Sequence, residues 1–248
     1  MLRVVLVVGW IVIFLILSLP VQLILGIIQL LGGKKGRALV RRVSLAIVSW
    51  AFRVVLMLSG VKLTVLGTER IPAGEPVLYV GNHRSYFDIV IAYSQRREPT
   101  GFIAKKEIRP IPILNIWMLF LDCFFLDRDD IKNGLEMIQT CTAKVAEGVS
   151  FVIFPEGTRN KTEEPMIPFH KGSFKIAQRS GCAIVPVCFN NTAAIYEAHP
   201  GRICPAHVVV EYGEPIYYKE LDREEQKHID DLVRERILDT ISRNEALV

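Results

Sequence analysis

The segment Val77-Leu78-Tyr79-Val80-Gly81-Asn82-His83-Arg84-Ser85-Tyr86-Phe87-Asp88-Ile89-Val90-Ile91-Ala92-Tyr93 sets the architecture expected of this chain. Four apolar residues end at Gly81-Asn82, polar residues follow, and a second apolar run begins at Ile89. A strand that turns into a helix in this way puts polar side chains at the lip of a sheet, where open α/β folds bind their ligands. His83 and Asp88 are five residues apart, so on one continuous helix they would point roughly 140° from each other. They meet only if His83 lies on the turn and Asp88 on the first helical turn. A neutral imidazole held by a carboxylate can then take a proton from a hydroxyl at neutral pH. The same residues fit a capping box in which Ser85 caps the helix and Asp88 reaches back. The segment alone leaves both readings open.

The 248 residues suffice for one α/β domain of ordinary size with an appendage. Half of them are apolar and mean hydropathy is positive, with the excess gathered at the front. That distribution points to membrane attachment and not to an oversized core. A net charge of +4, with the excess of basic over acidic residues gathered in the first third, suits anionic headgroups or an anionic substrate. It is too small to argue for nucleic acid. Cys123, Cys141, Cys182, Cys188 and Cys204 show no C-x-x-C spacing, and buried thiols in a reducing compartment are expected.

Residues 1–60 read as a membrane-embedded or interfacial helical segment, and residues 61–248 as the catalytic domain. Val4 to Leu31 holds no charged residue, and as one helix it would exceed a bilayer core of about 30 Å. The run is too long for a removable signal peptide and lacks a small-residue cleavage site. Pro20 is expected to kink or break it. Lys34, Lys35, Arg37, Arg41 and Arg42 follow Gly32-Gly33. The positive-inside rule then places this cluster, and the catalytic domain, on the cytoplasmic face of the cell membrane. Ala38 to Ser59 reads as an interfacial helix. Two arrangements fit: one span plus an interfacial helix, or a hairpin dipping into one leaflet.

Beyond residue 60, strands are expected near 61–67, 77–80, 101–104, 123–126, 150–154, 183–189 and 208–212. Helices are expected up to about 95 and near 113–121, 129–148, 173–180 and 221–241. The alternation predicts an α/β fold, a mixed and largely parallel sheet flanked by helices. Pro186, inside the sixth strand, predicts an edge or a bulge there.

Arg159 follows the strand that ends at Phe154, so a guanidinium sits on a strand-end loop, and that planar fork suits bidentate phosphate recognition. Gly157 lets backbone approach a ligand closely. Lys105 ends another strand and supplies a second positive charge. A base, a carboxylate and cations on strand-end turns of separate segments favour a phosphate-bearing acceptor.

Four stretches carry a resemblance: Asn82-His83 with Asp88, Ala104-Lys105-Lys106-Glu107, Phe154-Pro155-Glu156-Gly157-Thr158-Arg159, and Ile184-Val185-Pro186-Val187. Together they resemble the four motifs of the 1-acylglycerol-3-phosphate acyltransferase family, over roughly residues 61–215. Phe169-His170-Lys171-Gly172-Ser173 fits the stretch the family carries after its third motif, Ile108 stands where leucine is commoner, and the two-helix front is similar to bacterial members. The resemblance implies the glycerolipid acyltransferase fold. It implies transfer of an acyl chain from acyl-CoA or acyl-carrier protein to the free sn-2 hydroxyl of lysophosphatidic acid, giving phosphatidic acid for phospholipid synthesis. In that picture His83 is the general base, Asp88 orients it, and Lys105 and Arg159 hold the glycerol phosphate. Glu156, Gly157, Thr158, Ser85 and Lys171 are the further substrate-binding positions, and Ile184 to Val187 would help shape the groove. No metal or cofactor is implied beyond the acyl donor as co-substrate. The implied partners are the lysolipid, the donor and membrane phospholipids.

Other classes fit less of the chain. A serine hydrolase working through Ser85 or Ser173 lacks a G-x-S-x-G elbow. A metal site lacks a third ligand beside His83 and Asp88. A non-enzymatic membrane scaffold leaves the polar strand-end turns unexplained. Within the family, glycerol 3-phosphate or another lysophospholipid is the alternative acceptor.

Overall fold

The computed structural model describes all 248 residues. One sheet contains β1 (Lys62–Leu66), β2 (Val77–Gly81), β3 (Thr100–Lys105), β4 (Phe124–Leu126), β5 (Ser150–Ile153), β6 (Ala183–Asn190) and β7 (His207–Tyr212), in the order β1-β7-β6-β2-β5-β3-β4. β6, β2, β5, β3 and β4 run parallel, β7 runs against β6, and β1 is parallel to β7. The sheet is mixed and largely parallel, as the alternation of elements predicts. Helices are α1 (Leu2–Leu17), α2 (Leu19–Leu31), α3 (Gly33–Ser59), α4 (Phe87–Ser94), α5 (Leu114–Phe120), α6 (Ile131–Ala146), α7 (Lys175–Ser180), α8 (Arg223–Lys227) and α9 (Ile229–Asn244). Alternation along β2 splits the core in two. Val77 and Tyr79 pack toward α3, α4 and α5, whereas Leu78 and Val80 pack toward α6, α7 and α9.

Pro186 does not mark an edge, but it does sit at a bulge, because between the Val187–Tyr212 and Ile184–Ile216 pairs the two residues 185–186 face the three residues 213–215. β6 is interior and buried throughout, and Val80 of β2 stands opposite Pro186 in unbroken register. The interior strand tolerates it because of the direction of its missing donor. Ile184 exchanges backbone bonds with Ile216, and Pro186 accepts from Gly213, so its nitrogen faces the bulged residues 213–215 and not a regular ladder. The helix expected over 221–241 is two helices, broken at His228, with Asp222 and Glu225 forming a capping box on α8. All five cysteines are free, and four are buried. Burial pushes the Cys123 thiol up to about 11.

At the front, α1 and α2 meet at an angle of 47°. Pro20 in the first turn of α2 has no N–H for Ile16, and its ring crowds that carbonyl, so one helix cannot run through. Jointly the bent pair is long and apolar enough to cross a membrane, and so is α3. The helix expected over 38–59 begins at Gly33 and lies along the α/β domain. Its Val40, Leu45, Val48 and Val55 are buried, Ser49 Oγ donates to the Tyr93 carbonyl at 2.9 Å, and Arg41 pairs with Asp122 and Glu147. α1 returns antiparallel on α3, with Trp10 Nε1 donating to the Ala51 carbonyl at 3.1 Å. At the other end Gly36 abuts α2, where any Cβ would sit 2.4 Å from the Ile28 oxygen. Only glycine permits that approach. Leu2, Val5, Val12, Leu23, Ile27 and Leu30 remain exposed on the outer side.

Candidate active site

β2 ends at Gly81 and α4 begins at Phe87, so His83 lies on the connecting turn and Asp88 in the first turn of the helix. Their side chains meet, with His83 Nδ1 and Asp88 Oδ2 2.8 Å apart. The same Asp88 oxygen accepts from the backbone N–H of Arg84 and of Ser85, each at 2.8 Å. Asp88 is completely buried. A carboxylate can only accept, so Nδ1 carries the imidazole hydrogen and Nε2 keeps its lone pair free. The ring lies flat against Phe154, with centroids 4.3 Å apart and planes within 14°, and its side chain is 14% exposed.

The backbone of His83 is clamped from both sides. Its N–H donates to Glu156 Oε1 at 2.6 Å, and its carbonyl accepts from Asn160 N at 2.7 Å. Asn82 locks the end of β2 to β6 through a reciprocal pair with the backbone of Phe189. Arg84 reaches over the turn to the carbonyls of Thr162 and Glu164. Glu156 also accepts from Ile167 N at 3.3 Å, so both of its oxygens face backbone donors. Burial raises its carboxyl to about 7, with the bonds from His83 and Ile167 pulling the other way.

The structure distributes the remaining sequence candidates unevenly. Ser85 is fully buried, and its hydroxyl donates to Glu197 Oε2 at 2.6 Å while accepting from Phe87 N at 3.0 Å. Arg159 lies beside the turn, with Cζ 3.6 Å above the centre of the Tyr86 ring and Nη1 3.2 Å from Glu197 Oε1. Its other N–H groups are unengaged. Gly157 adopts φ +71°, and a Cβ there would sit 3.1 Å from the His170 ring. Thr158 and Lys105 are exposed at the ends of β5 and β3. Lys171 points elsewhere, 3.7 Å from Asp230 on α9. Ile184 to Val187 are buried within β6, and Pro186 lines a cavity beside Arg70 and Arg243 and not the His83 turn.

Two residues escape the sequence reading. Glu197, beyond β6, accepts from Ser85 Oγ, from Tyr86 N at 2.9 Å and from Arg159. Nothing in the sequence near it signals this, because its partners lie on distant segments. Arg128 follows β4, is exposed, and pairs with no carboxylate, and its guanidinium carbon lies 3.8 Å from the Cβ position of Gly157. Desolvation pulls its pKa below the ordinary guanidinium value, while Glu107 acts against the shift. Its signal was a second arginine at the end of a parallel strand. His83, Arg159, Lys105 and Arg128 thus follow four neighbouring parallel strands, β2, β5, β3 and β4, at one edge of the sheet.

A buried carboxylate orienting an imidazole beside a row of cations suits deprotonation of a hydroxyl on an anionic molecule. The acyltransferase family model matches residues 62–190, which holds this whole edge. The chain belongs to the acyltransferase family. Among known acyltransferases, it is 33% identical over 151 residues to the 1-acyl-sn-glycerol-3-phosphate acyltransferase of Borreliella burgdorferi, covering 61% of this chain and 60% of that protein. It is 31% identical over 178 residues to the Helicobacter pylori enzyme of the same name, covering 68% and 74%. The crystal structure of the 1-acyl-sn-glycerophosphate acyltransferase PlsC from Thermotoga maritima superposes with a TM-score of 0.68 at 26% identity, covering 86% of this chain and 83% of that one. The matched part spans 44% of a Chlamydomonas reinhardtii acyltransferase and 63% of the Saccharomyces cerevisiae one.

Proposed function

We propose that this chain transfers an acyl chain from acyl-CoA or acyl-carrier protein to the sn-2 hydroxyl of lysophosphatidic acid, forming phosphatidic acid. The observation that carries the reading is the His83 Nδ1–Asp88 Oδ2 contact of 2.8 Å, which leaves Nε2 free to receive a proton. Nε2 takes the hydroxyl proton as the oxygen attacks the thioester carbonyl. The C–S bond then breaks, the new ester C–O bond remains, and the proton passes from the imidazolium to the departing sulfur. Asp88 holds the ring and stabilises its charged form. Arg159, Arg128 and Lys105 receive the glycerol phosphate. Glu156 and Glu197 act through other groups, one by fixing the His83 backbone and the other by holding Arg159 against Tyr86.

An outward apolar face on α1 and α2 supports a lipid acceptor over glycerol 3-phosphate. Contacts along the whole of α3 support insertion into one leaflet. Arg41 near its start pairs with Asp122, Ser49 at its middle bonds Tyr93, and Gly60 at its end abuts Pro205, so α1 and α2, folded on α3, lie flat against the α/β domain. The exposed Lys34, Lys35 and Arg37 favour the cytoplasmic face of the cell membrane. The test is purified protein in detergent with labelled acyl donor. Phosphatidic acid should form from lysophosphatidic acid, with little product from glycerol 3-phosphate, and inertness toward every lysolipid would refute the reading.

A further inference from the structure

Two cavities lie apart from His83, and their charges differ in kind. One, of about 280 Å³, is lined by Arg70 and Arg243, but both pair with Glu211, and Arg70 also with Glu214. The other, of about 360 Å³, lies between α3 and the end of α4, and no acidic residue lines it. Arg42 and Arg53 enter it from α3, and Arg96 and Arg97 from the chain after α4. Arg41, next door, has two carboxylate partners, whereas Arg42, Arg53 and Arg97 have none. Arg96 is buried with its guanidinium over the rings of Tyr79 and Tyr212, and it too has no acidic partner. Concentrated positive charge without a counter-charge is the footprint of an anion site.

What lies beside the cavity says which anion. Arg42 and Arg53 are eleven residues apart, so they share one side of α3. Leu39, Trp50 and Met57 form the exposed strip alongside them. Trp50 meets Trp10 of α1 edge-on, with ring centres 5.3 Å apart, which joins this strip to the exposed apolar face of α1. The carbonyls ending α4 do not repel an anion here, because Ser49 Oγ and the Arg96 N–H take that of Tyr93 and Arg96 Nε takes that of Ala92.

We propose that this cavity binds the headgroup of an anionic membrane phospholipid. Its phosphate sits among Arg42, Arg53 and Arg97, and its acyl chains run over Leu39 and Trp50 onto α1. This is a second lipid site, remote from the strand ends that carry His83, and it fixes the orientation of the domain on a negatively charged leaflet.

The test titrates the detergent-solubilised full chain with phosphatidylglycerol, phosphatidylcholine or inorganic phosphate and follows the thermal unfolding midpoint. Phosphatidylglycerol should raise the midpoint and the other two should not. Each arginine contributes roughly fivefold to binding at an anionic surface, so the triple variant R42Q/R53Q/R97Q should need about a hundredfold more lipid for the same shift. The three single variants should show graded losses, which keeps the test valid if the triple variant is unstable. A charge-matched control on the far side of the sheet, K132Q/K175Q/K219Q, whose lysines are exposed and distant from α3, should behave as wild type. A triple variant with unchanged lipid response, equal losses in both triple variants, or a full shift from phosphatidylcholine or inorganic phosphate would overturn the proposal. The readout is binding, so its failure leaves the acyltransferase reading untouched.

Discussion

The Oδ2 atom of Asp88 lies 2.8 Å from His83 Nδ1 and also takes the backbone amides of Arg84 and Ser85. One oxygen therefore orients the imidazole and closes the turn into α4. The geometry that the catalytic reading requires is present, and the capping box is half present: Asp88 reaches back to the Ser85 N–H, whereas Ser85 Oγ takes the Phe87 N–H and not that of Asp88. Asp88→Asn should be harmful in two ways. Its amide can donate to Nδ1, which moves the hydrogen to Nε2 and removes the base, so kcat should fall about 10²–10⁴-fold. The turn also loses a charged acceptor, worth roughly 1.5–3 kcal/mol, so the thermal midpoint should drop. Steady-state kinetics and a melt on the same preparation check both.

Glu197 joins Ser85, Tyr86 and Arg159. Glu197→Ala should free Arg159 from its place over Tyr86, raising KM for the lysolipid more than it lowers kcat, with kcat/KM down about 10–100-fold. Glu197→Gln, which keeps an acceptor for the turn, should recover part of the loss. A variant with kcat reduced and KM unchanged would count against a positioning role.

The three cations should differ in what they cost. Arg159→Ala and Arg128→Ala should each raise KM for the lysolipid, since each removes a charge-assisted contact worth about 1.5–3 kcal/mol. Lys105, a point charge without the guanidinium fork, should matter less. Substrate titrations of the three variants at constant acyl donor give the ranking, and equal KM values in wild type and Arg159→Ala would remove it from the acceptor site.

Glu156 supplies a pH dependence of known sign. Its carboxyl is raised from the ordinary 4.5 to about 7 by burial, so the folded state holds a proton that the unfolded state has released. The stability this contributes is fully present below about 4.5 and is lost as pH rises toward 7. Glu156→Gln keeps an oxygen for the His83 N–H and cannot ionise. Urea unfolding across this range should give a flatter stability profile for the variant, and parallel profiles would contradict the assignment.

How much the sequence disclosed follows from how local each feature is. His83 and Asp88 sit within one turn, so their pairing was legible from spacing, and the apolar runs placed all seven strands. Glu197 was invisible because Ser85 is 112 residues away. Pro186 was half legible: it does sit at a bulge, but its place in an interior strand depends on which distant segments pair with β6, which no local pattern records. The break between α8 and α9 falls at the end of 222–228, which holds no apolar residue, so periodicity there could not tell one helix from two. Lys171 belonged to a recognisable stretch, yet that stretch carries it toward α9 and Asp230. Sequence revealed the chemistry that neighbouring residues make together, and the structure added what distant segments make.

The measurement that bears most directly on the mechanism is the initial rate of phosphatidic acid formation by His83→Ala beside wild type, with a melt of each. His83 uses its ring for Asp88 and Phe154 and its backbone for Glu156 and Asn160, so the variant should fold. Its rate should fall about 10²–10⁴-fold, with the lysolipid still bound. A folded His83→Ala protein that turns over at the wild-type rate would show that another group takes the proton.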